Sequence, residues 1–218
     1  MMTKRWMTMT AVVVLTASTA LTACAPLLVG GAVGTGVVVA TDRRTTGMQV
    51  EDQGIELRAR RVVREALGDR GRVIISSFNR RVLITGTVPT QTDKALVARL
   101  VAQVENVREI VDELGVMGDP ALSVRSSDTL ITTRVKAAFI DAKDLSANAI
   151  SVTTERGVVY MMGRVTQREA NRAADMARTV PGVQQVVRVF EVISEEELAR
   201  IQPPRQPAQP AASQPAAR

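Results

Sequence analysis

Residues 128–193 read DTLITTRVKAAFIDAKDLSANAISVTTERGVVYMMGRVTQREANRAADMARTVPGVQQVVRVFEVI, and the order of hydrophobic periods along them decides the fold. Ile131, Val135, Ala138 and Phe139 recur at helical spacing, with Asp128 placed to cap the helix they define. Residues 149–154 and 158–163 are β-rich runs separated by Glu155-Arg156-Gly157, a hairpin signal. Thr166 and Glu169 form a capping box that starts a helix through Thr179. Pro181-Gly182 ends that helix, and residues 185–193 are the last strand. The order helix, strand, strand, helix, strand places two helices on one face of a three-stranded sheet, an α+β sandwich.

The same plan occurs upstream. Asp52, Ile55, Arg58 and Val62 recur 76 residues later as Asp128, Ile131, Arg134 and Ala138. Val82, Gly86 and Val88 recur 77 residues later as Val159, Gly163 and Val165, and Val107 recurs at 76 as Val183. One inserted residue, later removed, reconciles the offsets, so the chain is a tandem of two modules. In the first, residues 73–77 and 82–87 are the strands, a helix starts at Thr90, and a last strand lies near 108–117. Each module is small, and contact between the copies would add to stability.

Composition removes most enzyme chemistry. The 218 residues include no histidine and one cysteine. No imidazole base, Ser-His or Cys-His pair or histidine metal site can form, nor an internal disulfide. Carboxylates remain, but Glu109, Asp112 and Glu113 sit at the start of an expected strand with no polar pocket implied, as solvated charge rather than a glycosidase pair. No catalytic, metal or cofactor site is expected. Twenty-eight Lys and Arg against 22 Asp and Glu give a net charge of +6. The aromatics Trp6, Phe78, Phe139, Tyr160 and Phe190 are too few and scattered to stack bases, and no nucleic-acid partner is expected.

The one cysteine stands in a particular place. Lys4 and Arg5 precede an apolar run ending in Leu21-Thr22-Ala23-Cys24, a secretory layout. Leucine, two small residues and cysteine resemble the bacterial lipobox, which implies cleavage before Cys24 and its acylation. An uncleaved anchor helix is the other reading, though the run is short for a membrane span. Cleavage removes Lys4 and Arg5 and leaves 26 cations against 22 carboxylates, +4. Residue 25 is alanine rather than aspartate, which by the same resemblance directs the protein to the outer membrane. Residues 25–40, APLLVGGAVGTGVVVA, are too short and glycine-rich for a span and read as a tether. At the other end, residues 202–218 carry five of the nine prolines with Ala and Gln, a composition that builds no core.

The module order, with Gly86 and Gly163 and the turns Glu105-Asn106-Val107 and Pro181-Gly182-Val183 before the last strands, resembles the BON domain. Lipobox, tether, two such domains and a short tail together resemble the double-BON outer-membrane lipoproteins of Gram-negative bacteria. The boundaries that follow are 1–23 signal peptide, 24–51 acylated tether, 52–118 first BON domain, 119–127 linker, 128–194 second BON domain and 195–218 disordered tail. The resemblance implies a non-enzymatic protein on the periplasmic face of the outer membrane that supports envelope integrity.

The two first helices share a core face and differ outside it. Ile55, Ala59, Val62, Val63 and Ala66 match Ile131, Val135, Ala138 and Phe139, whereas Arg61 and Arg64 correspond to Ala137 and Ile140. Arg58, Arg60, Arg61 and Arg64 are expected to pair with Glu56 and Glu65 as a solvated face. In the second copy Leu130, Thr133, Ala137 and Ile140 form an apolar stripe flanked by Arg134 and Lys136, the pattern of an interfacial helix. The resemblance points the same way, since the family's second domain is associated with anionic phospholipid through this helix, although family members can carry a large aromatic where Leu130 stands. Expected phospholipid-binding residues are therefore Leu130, Thr133, Arg134, Lys136, Ala137 and Ile140, with Cys24 as the lipidation site. The alternatives are that the stripe packs against the first module, that it meets a protein such as the outer-membrane assembly machinery, or that the chain is a periplasmic stress-response BON protein.

Overall fold

Thr45 opens the first helix, its Oγ1 accepting from the Met48 N–H at 3.2 Å. The computed structural model describes residues 42–201. The expected signal peptide (1–23), Cys24, most of the expected tether and residues 202–218 lie outside the described residues. Helix α1 spans Thr46–Leu67 and ends at Gly68, whose φ of 56° suits glycine. It begins within the stretch assigned above to the tether, because Thr45 supplies a cap that the apolar spacing from Ile55 does not announce. Its buried face is Asp52, Ile55, Ala59, Val63 and Leu67.

Strands β1 (Arg72–Phe78) and β2 (Arg81–Val88) form an antiparallel hairpin. Its turn residues, Asn79 at φ 51° and Arg80 at φ 65°, are both left-handed, as a turn matching the strand twist requires. Neither is glycine, and the turn is held from outside. Asp52, buried in α1, accepts from the N–H groups of Asn79 and Arg80, each at 2.8 Å, and from Ser77 Oγ at 2.7 Å. Helix α2 (Gln91–Ala102) follows, capped by Thr90 Oγ1. The expected last strand is broken into β3 (Glu109–Asp112) and β4 (Gly115–Val116), both parallel to β2. The break is a local turn in which Asp112 Oδ1 accepts from the Leu114 N–H and Leu114 buries into the core.

The second module repeats this with α3 (Leu122–Asp141), β5 (Ile150–Glu155), β6 (Val158–Thr166), α4 (Gln167–Thr179) and β7 (Gln185–Ile193). Strand β6 is central, antiparallel to β5 and parallel to β7. The Thr166–Glu169 capping box is present. Asp128 is not a cap. Helix α3 starts six residues before it, within the expected linker, and Asp128 lies buried on the inner face. Its carboxylate accepts from the Arg156 and Gly157 N–H groups, each at 2.8 Å, doing for this hairpin what Asp52 does for the other. Gly86 and Gly163 serve backbone approach, since a Cβ on either would overlap the carbonyl oxygen of Arg72 in β1 or of Ala149 just before β5. Residues Glu195–Ile201, expected as tail, form helix α5, tied back by Glu197 to Arg164 at 2.6 Å.

Each module has its own core between its helices and its sheet. A third cluster joins them. Phe78 and Leu83 of the first sheet pack with Tyr160, Met162 and Val189 of the second, so the faces without helices cover one another. Polar links ring this patch: Arg72 pairs with Glu155, Asn79 Nδ2 donates to Glu191, and Arg81 donates to the Phe190 carbonyl at 3.0 Å. Tyr160 reports on the patch because it is the chain's one tyrosine. Burial, with the negative charges of Glu113 and Glu155, pushes its hydroxyl from 10.0 up to about 12. A neutral form held above its unfolded pKa adds stability that is complete below about pH 10 and lost as pH rises towards 12. Phenolate absorbance of the folded chain should therefore titrate near 12, and Leu83→Glu, which parts the sheets, should bring it back towards 10.

Candidate functional site

Helix α3 carries the expected residues and more of the same face. Its inner side sends Ile131, Val135 and Phe139 into the core. On the outer side Leu130 is 55% exposed and Ile140 72%. Thr133, Arg134, Lys136 and Ala137 are also exposed, so all six expected residues lie on solvent-facing helix and none packs against the first module. The six residues added at the start of α3 bring Leu122, 76% exposed, onto the same stripe. Eighteen residues separate Leu122 from Ile140, a stripe about 27 Å long at ~1.5 Å per residue. Sequence reasoning missed Leu122 because it took Asp128 as the helix start; the absence of Gly or Pro between Leu122 and Asp128 was the available signal.

The polar members of the stripe are already satisfied. Ser126, Thr129 and Thr133 donate their hydroxyls to the carbonyls of Leu122, Arg125 and Thr129 at 3.0, 3.0 and 2.9 Å. Moving this face out of water therefore strands no donor.

Its cations are free. Among the described residues neither Arg134 nor Lys136 has an ion-pair partner. Helix α1 contrasts with this: Arg58 pairs with Glu51, Arg60 with Glu56 and Arg61 with Glu65. Arg64, expected to pair as well, has no ion pair among the described residues, so the two faces have diverged into a largely paired arginine face on α1 and an apolar strip with two unpaired cations on α3.

One contact had no sequence signal. Arg43, two residues before the cap of α1, is buried in the second module. Its Nη1 and Nη2 each donate to Glu169 at 2.7 Å, and Nη1 also donates to the Arg164 carbonyl at 2.8 Å. Burial raises the Glu169 pKa, but the Arg43 bonds, the Thr166 N–H and the charges of Arg43 and Arg168 outweigh it and hold the carboxyl below its ordinary value. Among the described residues no helix is long and apolar enough to cross a membrane.

Comparison with known proteins agrees with this architecture. The BON domain matches residues 52–118 and 127–194. Outer membrane lipoprotein DolP of Haemophilus influenzae is 36% identical over 184 residues, 83% of this chain and 94% of that protein. The 21 kDa hemolysin of Actinobacillus pleuropneumoniae is 31% identical over 154 residues, 70% and 79% of the two chains. Osmotically-inducible protein Y of Escherichia coli is 27% identical over 117 residues, 52% and 58%. Two copies of one αββαβ unit, each with its hairpin pinned by a helix aspartate, together with these matches, make the chain a member of the BON-domain family.

Proposed function

We propose that this chain is an outer-membrane lipoprotein, anchored through acylated Cys24 on the periplasmic face, which binds anionic phospholipid through its second BON domain and supports envelope integrity. The observation that carries the binding claim is the unpartnered face of α3, where Leu122, Leu130 and Ile140 stand exposed beside the unpaired Arg134 and Lys136. The name of the Haemophilus relative, which this chain matches over 94% of that protein's length, supports the location.

Magnitudes divide the labour. Each large aliphatic side chain adds about 1.5–3 kcal/mol when fully buried, and each cation about 1 kcal/mol at an anionic surface. Partial insertion of three aliphatics with two cations therefore gives roughly 5 kcal/mol, a dissociation constant no tighter than about 0.1 mM. Such an affinity selects among lipids but does not retain the protein, and acyl chains at Cys24 supply the retention.

Vesicle sedimentation of the chain from residue 24 onward, with Cys24→Ser, tests the binding. It should favour phosphatidylglycerol vesicles over phosphatidylcholine. Leu130→Glu with Ile140→Glu should weaken binding by roughly tenfold or more, the effect of ~1.4 kcal/mol. Arg134→Gln with Lys136→Gln should remove most of the anionic preference. Equal binding to both vesicles, indifferent to all four changes, refutes the proposal. Mass spectrometry of the membrane-extracted protein tests the anchor, and an unmodified Cys24 refutes that part alone.

A further inference from the structure

The loop between first helix and first strand is where the two repeats differ most in length. In the first domain it is residues 68–71; in the second it is 142–149, eight residues against four, ending in the 3₁₀ turn Ala147–Ala149. The longer loop is anchored in the second module's core by Leu145, with Ala149 also buried, and bounds a groove of about 920 Å³. Its walls include Ile140 at the end of α3, Lys143 and Leu145 of the loop, Arg168 in the first turn of α4, and Leu198 of α5. The cleft lined by Arg60, Arg64 and Gly68 at the same corner of the first domain holds about 420 Å³.

Charge in this groove is unevenly spent. The two carboxylates on its walls are occupied: Glu169 takes both Arg43 nitrogens and the Thr166 N–H, and Asp144 pairs with Arg172 at 2.9 Å. Of the two cations, Lys143 is exposed with no ion pair among the described residues, and Arg168 pairs with the exposed Glu195 at 3.6 Å and donates Nη1 to the Asp144 carbonyl at 3.3 Å, both at the solvent-exposed rim. The walls therefore offer an anion the unpaired Lys143 ammonium and the exposed Arg168 guanidinium, while the buried Glu169 carboxylate is already neutralised by Arg43. Ile140 belongs to both surfaces, as a wall of the groove and as the last residue of the α3 stripe. Ile140 thus joins the groove to the exposed apolar stripe of α3.

We propose that this groove is a headgroup site, distinct from the outer face of α3, which takes the glycerophosphate of a single anionic phospholipid against Lys143 and Arg168, with its acyl chains leaving past Ile140. The inference rests on α3 being the membrane-facing helix. A free phosphate would use the two cations but none of the apolar exit, which is what separates the two sources of the same chemistry.

The test follows amide shifts of the Cys24→Ser chain from residue 24 onward, titrated with dihexanoyl phosphatidylglycerol below its micellar concentration. Dihexanoyl phosphatidylcholine, glycerol 3-phosphate and inorganic phosphate are titrated in parallel. Phosphatidylglycerol should shift Lys143, Leu145 and Arg168, and Lys143→Glu should weaken it about tenfold. Lys143 is exposed and unpaired, so this change leaves the fold intact. Leu130→Glu with Thr133→Glu should weaken vesicle sedimentation about tenfold yet leave the short-chain lipid in the groove. Shifts confined to the outer face of α3, or indifference to Lys143→Glu, overturn the headgroup site while vesicle binding through α3 stands. Inorganic phosphate binding as tightly as the lipid overturns it in favour of a free-anion site. If neither short-chain lipid nor anionic vesicles bind, the membrane reading itself fails.

Discussion

Arg43→Ala should destabilise the folded chain by about 3 kcal/mol at pH 7, because it leaves the Glu169 carboxylate buried without its counterion. Both side chains are almost wholly out of solvent, and Glu169 also closes the capping box of α4. Loss of the pair therefore acts on the second domain although the mutated residue precedes the first. The effect depends on pH in a defined direction. Glu169 is held below its ordinary pKa in the folded state, so its pairing adds stability that is complete above the unfolded carboxylate range, near pH 4.5, and is lost as pH falls through the lower folded value. Urea midpoints of parent and variant should differ at pH 7 and converge in strong acid. A constant gap across that range would show that Arg43 acts through packing alone. Glu169→Gln, which removes the charge and keeps the shape, should recover part of what Arg43→Ala loses when the two are combined.

Asp128→Ala should cost roughly 3 kcal/mol, since two turn N–H groups lose a charged acceptor inside the fold. Arg156 sits at φ 52° and Gly157 at φ 76°, and the carboxylate holds the turn in that conformation. Asp52→Ala should cost more. Asp52 accepts from two turn N–H groups, from Ser77 and from Arg44 at 2.7 Å, and Arg44 also lies over the Phe78 ring at the junction of the two sheets. Hydrogen exchange should locate each loss, with Asp128→Ala exposing the Arg156 and Gly157 amides and Asp52→Ala those of Asn79 and Arg80. Uniform protection in either variant would remove the turn-pinning role. Asn at either position keeps one acceptor and should fall between parent and alanine.

These two aspartates mark where the sequence was legible and where it was not. Their recurrence at an offset of 76 was visible as part of the repeat. The task of Asp128 was misassigned, because an aspartate just ahead of a helical apolar pattern looks the same whether it caps the helix or reaches across to a hairpin. The inner faces of α1 and α3, the hairpins and the capping box were legible because each is a contact between residues a few positions apart. The sheet-to-sheet junction left a fainter trace. Strand β6 runs Val158-Val159-Tyr160-Met161-Met162 without alternation, the pattern of a strand covered on both faces, and β2 does the same at Val82-Leu83-Ile84.

The exposed apolar stripe of α3 was legible by comparing one repeat with the other, which named Leu130, Thr133, Arg134, Lys136, Ala137 and Ile140 as an outward face. Whether that stripe was covered by the first module was not, since the answer depends on which faces of two domains meet. The groove beside Lys143 was hidden for the same reason, its walls coming from α3, α4, α5 and the loop between. Hydrophobic period, caps and turn residues act over a few residues and so are written along the chain. Arg43 and Glu169 are 126 residues apart, and nothing in either neighbourhood records the other; that pair, the facing sheets and the free side of α3 exist because buried charge must find a counterion and uncovered apolar sheet must find a cover.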